Sequence, residues 1–324
     1  MDKLSPAILE SFGIQSRGIK KEKGHYLCST GSGLMKVHIT SEPPEAIRLQ
    51  YSVKEHLAAK GFPQTDRFQL SKTGLPYVLV GRETYVMSKF PARHRETNFD
   101  NEADVLQAFQ ALAHFHAAAG NMPQIAIPIS QPLPEVYSRQ LKELMQTGKQ
   151  ARRSSRLSDF DVLFIKHASH YGEIIQDSIN RLAKTDYAKL HAEAVSRGSL
   201  CHNALKEENL LVADDATYIT NFSEAEIDLQ LSDLAALIRR YAQRSSKGIP
   251  VGRLLETYNQ IAPLPCGAVD ILYALLIFPW AFMKIITQYY SKKRNWTPNG
   301  MINRVETVLA EREGYEKYLQ QLHF

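Results

Sequence analysis

The hydrophobic period of this chain changes near residue 90, and that change constrains the fold more than any other feature. Residues 24–40, GHYLCSTGSGLMKVHIT, and 76–90, PYVLVGRETYVMSKF, carry β-branched and aromatic residues on both sides of Gly-containing turns. Each stretch predicts a hairpin, one turning at Gly31–Gly33 and the other at Gly81–Arg82. Between them, PEAIRLQYSVKEHLAAKG places Ile47, Leu49, Val53, Leu57 and Ala58 largely at helical spacing, with Gly61 as a stop. The first quarter therefore reads β–β–α–β–β. Beyond residue 100 the period becomes helical. Val105, Phe109, Leu112, Phe115 and His116 fall along one side of residues 101–120. The stretches DFDVLFIKHASHYGEIIQDSINRLAK, TDYAKLHAEAV and INRVETVLAEREGYEKYLQQL continue in the same style. The expected fold class is α+β with two lobes. Residues 1–90 form a small antiparallel-sheet lobe with one helix, residues 91–324 form a large helical lobe, and a hinge lies at residues 87–91. A chain of 324 residues is ample for both.

One segment interrupts the helical part. Residues 200–240, LCHNALKEENLLVADDATYITNFSEAEIDLQLSDLAALIRR, contain two short apolar pieces, NLLV and TYITNF. A turn at Asp214–Asp215 is expected to join them, and a helix to start after Asp233. There are no internal repeats.

Charge and cysteine usage exclude several classes. Lys plus Arg number 39 and Asp plus Glu 34, so the surplus is +5, too small over this length for a dedicated nucleic-acid binder. The basic stretches 142–156 and 289–296 read as solvated loops between helices. Cys28, Cys201 and Cys266 are widely spaced without a CxxC pair, which argues against a disulfide framework or a cysteine zinc site. The N-terminal MDKLSPAILESFGIQSRGIKK lacks a continuous apolar core, so synthesis in the cytoplasm without a signal peptide is expected. The most apolar run, residues 271–282, is shorter than the ~20 residues that span a bilayer. It contains Pro279, is soon followed by Lys284, and reads as a buried helix with no membrane role.

The interrupted segment resembles the catalytic core of aminoglycoside phosphotransferases and choline kinases. Those enzymes carry a loop of the form H-G-D-x-x-x-x-N, then a short hairpin ending in a D-[FW]-[DE] turn, then D-L-A opening a helix. Here the sequence reads CHNALKEENLLV, then YITNFSEAE, then SDLA. Within that superfamily the chain most closely resembles the CotS-like spore coat proteins of endospore-forming bacteria. EHLAAKGFP, GLPYVLVGRETYVMSKF, ALAHFHAAAG, DFDVLF, YAKLHAEA and IFPWAFMKIITQYYSKKRNW support this, in order, from about residue 20 to the end. The resemblance implies a bilobal protein-kinase-like fold, a place in the spore coat, and other coat proteins as partners. It puts His202 at the motif histidine and Asn209 at the asparagine that ligates Mg²⁺. It puts Asp233 at the aspartate that buttresses the loop, and Lys36 at the strand lysine that meets the α/β-phosphates of a nucleotide.

The departures bear on chemistry. Ala204 stands at the catalytic aspartate, Asn221 at the metal-binding aspartate and Asn203 at the motif glycine. The helix glutamate that would pair with Lys36 falls at Ser52, with Glu55 or Glu45 as substitutes. Phosphoryl transfer depends on Mg²⁺, a lysine on the phosphates and a carboxylate that orients the attacking hydroxyl. Ala204 has no group that could orient a hydroxyl, and losing a positioned acid or base costs roughly 10²–10⁴ in rate. Asn221 offers a cation only a neutral oxygen, whereas Mg²⁺ usually takes one or two carboxylates.

The expected function is therefore a spore-coat kinase-fold scaffold that needs no cofactor. One alternative is an active small-molecule phosphotransferase using ATP and Mg²⁺, with Glu207, Glu208, Glu224 or Asp228 in the missing roles. Another is a nucleotide sensor without turnover. His202 reads as a buried hydrogen-bonding post, and Asp233 as a helix N-cap, with Ser232 as the other candidate cap. Lys36 reads as nucleotide-facing by position. The loop KEKGHY offers only Gly24, where phosphate-cradling loops usually show two or three glycines, so weak or absent nucleotide binding is expected.

Overall fold

The computed structural model describes residues 4–22, 24–122, 127–213, 216–246, 248–291 and 298–322. It divides into two compact units, each built from separate stretches of chain. The first comprises residues 1–128, 197–228 and 257–262, and the second residues 129–196, 229–256 and 263–324.

The first unit opens with α1 (Pro6–Ser11), β1 (Ser16–Glu22), β2 (His25–Thr30), β3 (Gly33–Thr40), α2 (Pro44–Ala59), β4 (Val78–Val80) and β5 (Glu83–Phe90). These strands form one antiparallel sheet in the order β1-β2-β3-β5-β4. Both predicted hairpins and the helix between them are present. Strand β1 is an addition to the expected pattern. Its middle residues are all exposed, so SRGIKKE carries no alternation of apolar and polar positions, and its lysines suit a sheet edge. Residues 87–90, expected in a hinge, are the end of β5 and pair with β3.

Alternation sorts the sheet into two faces. Met35, Val37, Tyr85 and Met87 join Tyr26, Cys28 and the α1 residues Ile8 and Leu9, with Phe12 just after them, in an apolar core. On the other face, Ile47 of α2 packs with Tyr77 and Val86. Lys36 and His38 of β3 and Ser88 of β5 share that face, because Lys36 lies opposite Ser88 and His38 opposite Val86.

The chain continues through β6 (His94–Glu96) and α3 (Glu102–Ala118), whose start is capped by the Asn101 side chain accepting from the Ala103 and Asp104 N–H groups. The second unit then begins, with α4 (Leu133–Arg152), α5 (Asp159–Leu182) and α6 (Tyr187–Arg197). Helix α4 includes residues 142–152 of the basic stretch expected to be a loop. Tyr137, Leu144, Gly148 and Ala151 supply a buried stripe, which turns the Lys and Arg side chains to the opposite face. A capping box between Ser158 and Asp161 starts α5.

The interrupting segment returns to the first unit as β7 (Leu200–Cys201), a 3₁₀ turn (Glu207–Asn209), β8 (Leu210–Ala213), β9 (Thr217–Ile219) and β10 (Glu226–Ile227). NLLV and TYITNF become β8 and β9, in a small sheet ordered β6-β8-β9. The turn expected at Asp214–Asp215 lies outside the described residues. The remaining helices are α7 (Leu231–Arg244), α8 (Val251–Asn259), α9 (Ala268–Ile277), α10 (Trp280–Tyr290) and α11 (Pro298–Gln320).

Two expectations are corrected by these elements. Helix α7 starts at Leu231 with Gln230 as its N-cap residue, so neither Asp233 nor Ser232 caps it. Asp233 is instead a fully buried residue of the first turn, where the helix dipole favours a carboxylate. The apolar run is also longer than residues 271–282. Ala268–Tyr290 spans 23 residues and contains an 18-residue window of mean hydropathy 1.9, enough by length and composition to cross a membrane. Phe278–Pro279 divides it, and α9 packs against α5 and α7. In the second basic stretch, Tyr289 and Tyr290 end α10, and Tyr289 stacks on Phe160 at 3.8 Å. Residues 292–296 lie outside the described residues.

Candidate functional site

The loop after β7 is held from within the first unit. His202 is fully buried, and its Nδ1 accepts from the Ala204 N–H at 3.2 Å. That assigns the ring proton to Nε2, which donates to the Thr220 carbonyl at 2.9 Å. Phe222 and Phe115 meet the ring edge-on at 4.9 and 6.4 Å. His202 is thus a post joining the loop to the end of β9. Asn209 braces the loop in a similar way. Its Nδ2 donates to the Ala204 carbonyl at 2.8 Å, and its own carbonyl accepts the Thr220 N–H at 2.9 Å. Asn203 and Asn221 both adopt left-handed backbone, with φ of 58° and 65°, which asparagine tolerates better than most residues. The side chain between these posts is the buried methyl of Ala204, 3% exposed.

Asn221 is exposed and tied on both sides. Its Oδ1 accepts from the Ser223 hydroxyl at 2.9 Å, and its N–H donates to Asp66 Oδ1 at 3.4 Å. Asp66, in the loop after α2, is a residue that sequence reasoning missed. It forms a 2.9 Å ion pair with Lys54, whose side chain is only 1% exposed. The Lys54 ammonium also donates to the Asp66 carbonyl at 3.1 Å and lies 3.8 Å from the centre of the Phe68 ring. A buried ammonium needs this many partners to offset its desolvation. A signal was present in the sequence: Lys54 falls on the stripe Ile47, Gln50, Lys54, Leu57 that α2 buries.

Lys36 stands on β3 with Phe90, 5.1 Å from its ammonium. No carboxylate lies within ion-pair distance of it among the described residues. Glu55, a candidate substitute for the helix glutamate, is held by Arg67 through contacts of 2.9 and 2.5 Å. Burial lowers the Lys36 pKa from its ordinary value, with Lys54 adding to the fall and Asp66 opposing it. His38, two residues along the same face, is pushed down to about 4, first by burial and then by Lys36, with smaller contributions from Lys54 and His25. Asp66 again opposes the fall. The His38 Nδ1 and the hydroxyls of Ser88 and Thr65 are buried without hydrogen-bond partners.

This donor set fits an anion better than a divalent cation. Lys54 takes up the one nearby carboxylate, Asp66, Lys36 has none at ion-pair distance among the described residues, and the positions expected to hold a metal offer carboxamides. Among the described residues no group of three or more His, Cys, Asp or Glu side chains could hold a metal ion. Glu208 and Glu224 are exposed, Glu207 is half-buried in the 3₁₀ turn, and Asp228 is buried beside the β7–β10 pair. The residues present do not fit Mg²⁺ as a resident ion.

Solved structures agree on the fold. An aminoglycoside phosphotransferase from Alicyclobacillus acidocaldarius is similar at a TM-score of 0.86 with 18% identity, over 99% of this chain and 96% of that one. The AMP-bound spectinomycin phosphotransferase APH(9)-Ia is similar at 0.61 with 14% identity, over 98% and 93%. A choline/ethanolamine kinase family protein from Mesorhizobium loti reaches 0.51 with 11% identity, over 95% and 92%. These likenesses show that the chain has the fold of those phosphotransferases and kinases. Residues 5–322 match the family described as "Spore coat putative kinase YutH", and this chain belongs to that family.

Proposed function

We propose that this protein is a kinase-fold component of the spore coat that transfers no phosphate and serves as an assembly surface for other coat proteins. In this reading it is made in the cytoplasm and then joins the coat. One observation carries the loss of catalysis: the loop retains its posts, His202 and Asn209, while the residue they hold is the methyl of Ala204. Asn221 supports the same reading, since its amide oxygen is engaged by Ser223 and its N–H by Asp66. Asp66 is the one carboxylate in the cluster, and Lys54 already neutralises it.

A second reading is favoured by the excess of cation at Lys36 and Lys54: binding of a nucleotide through its phosphates without a metal and without turnover. Calorimetric titration of ATP and ADP, with and without Mg²⁺ and Mn²⁺, separates these ideas. The scaffold reading expects no metal-dependent heat and no melting shift, because a ligand of the folded state would raise stability by mass action. Metal-independent binding that Lys36→Met abolishes would establish the second reading. Metal-dependent binding with ATP turnover would overturn both. The coat role has its own test: normal coat composition in spores lacking the gene would count against it.

A further inference from the structure

The second unit contains a cavity of about 790 Å³ between α5, the end of α7, the α9–α10 corner and α11. That is within the range of small-ligand sites, roughly 300–1,000 Å³. Its walls are largely aromatic, with Tyr273, Trp280, Tyr315 and Tyr318 among them. Aromatic walls by themselves would suit a cationic ligand as well as a neutral one. Arg239 decides the sign. Its guanidinium lines the cavity, lies 5.8 Å from the Trp280 ring, and has no carboxylate at ion-pair distance among the described residues. The acids that line the same cavity do not serve it. Asp177 is engaged by Arg181 at 2.8 Å and Glu316 by Arg312 at 2.6 Å, while Glu173 and Glu311 are exposed. A second polar group also lacks a partner. Tyr171 is 3% exposed, stacks on Phe282 at 3.7 Å, and its hydroxyl makes no hydrogen bond.

Arg239 is half-buried, and a guanidinium that gives up part of its water without gaining a counter-ion is destabilised, so proteins normally pair such a group. Burial does lower the Arg239 pKa, and the nearby tyrosines Tyr315 and Tyr137 act in the opposite direction. Arginine remains cationic in proteins, so the missing partner is an anion. The planar fork of the guanidinium matches a carboxylate through two parallel hydrogen bonds. A flat apolar body would complete the fit by packing on Trp280 and its aromatic neighbours.

We infer that this cavity binds a small organic acid, a carboxylate with a flat apolar body, whose carboxylate is held by Arg239. This inference is independent of the proposed function, because it rests on residues of the second unit alone. The test uses the full chain and benzoate, phenyl phosphate, inorganic phosphate and choline as probes, followed by calorimetry and by tryptophan fluorescence. Benzoate should bind, and Arg239→Gln should weaken it roughly ten- to a hundredfold, the usual worth of a hydrogen bond to a charged group. Lys36→Met should leave benzoate binding unchanged, which keeps this result separate from nucleotide binding. Arg239→Lys retains the charge without the fork and should fall between wild type and Arg239→Gln; it also serves if Arg239→Gln fails to fold. Tighter binding of phenyl phosphate than of benzoate, or binding of inorganic phosphate alone, would overturn the choice of a carboxylate. Preference for choline, no binding of any probe at millimolar concentration, or equal affinity in wild type and both Arg239 variants would overturn the inference outright.

Discussion

The two units treat a cation set against an aromatic ring in opposite ways. In the first, Lys54 is satisfied internally by Asp66, the Asp66 carbonyl and the face of Phe68. In the second, Arg239 meets Trp280 and a cavity. A cation with every partner supplied by its own chain is a structural element. One with an open side is a binding element. The difference separates what a motif leads one to expect from what the molecule presents. The loop with most of the kinase-like signature is wired into itself, whereas the second unit, which holds only its SDLA portion on α7, has a cavity open beside Arg239.

The comparison breaks most readily at Asp66. Asp66→Asn leaves Lys54 buried and uncompensated, and a broken buried pair costs about 3–5 kcal/mol. Urea denaturation should show that loss, with Lys54→Met/Asp66→Asn recovering much of it because no orphan charge remains. Arg239→Gln should be close to neutral in the same assay, since no protein counter-charge is lost. Equal losses at the two sites would erase the distinction.

Acid sharpens it further. The His38 imidazole takes its proton at about 4 in the folded chain and near 6.5 when unfolded. Between those values the unfolded chain binds the extra proton, so stability is complete above pH 6.5 and drains away as the pH falls to about 4. The sum of that loss is about 3 kcal/mol. Urea midpoints measured at about pH 7 and about pH 4.5 should therefore differ in wild type and differ much less in His38→Gln. An unchanged pH slope in the variant would remove His38 as the cause.

The smallest effect is expected at Glu55. Its pair with Arg67 is about one-third exposed at both ends, so Glu55→Gln should cost less than ~1 kcal/mol. The same variant should leave any ATP titration unaltered, because Glu55 faces Arg67 and not Lys36. A large change in nucleotide binding would return Glu55 to the role of the helix glutamate.

Much of the fold was legible because local signals and tertiary packing agree. The turns at Gly31–Gly33 and Gly81–Arg82, helix α2 and the two strands inside the interrupting segment all follow from spacing and turn residues. Strand β1 was not legible, since an exposed edge has no buried face to impose a period. Helix α4 was obscured by its density of lysine and arginine, although its stripe of Tyr137, Leu144 and Ala151 was there to be found. The start of α7 was misplaced because an aspartate near a helix start resembles a cap whether it stands at the cap or in the first turn.

The sequence by itself determined the fold class and the positions of Lys36, His202, Ala204, Asn209, Asn221 and Asp233 along it, because side-chain period and motif spacing are properties of the chain. Tertiary structure alone decided which charges meet. Lys54 and Asp66 lie 12 residues apart, and Asp66 reaches Asn221 across 155 residues. The cavity around Arg239 is assembled from separate stretches of the second unit. Partnership between charges depends on distance and burial in space, and neither is written in the order of residues.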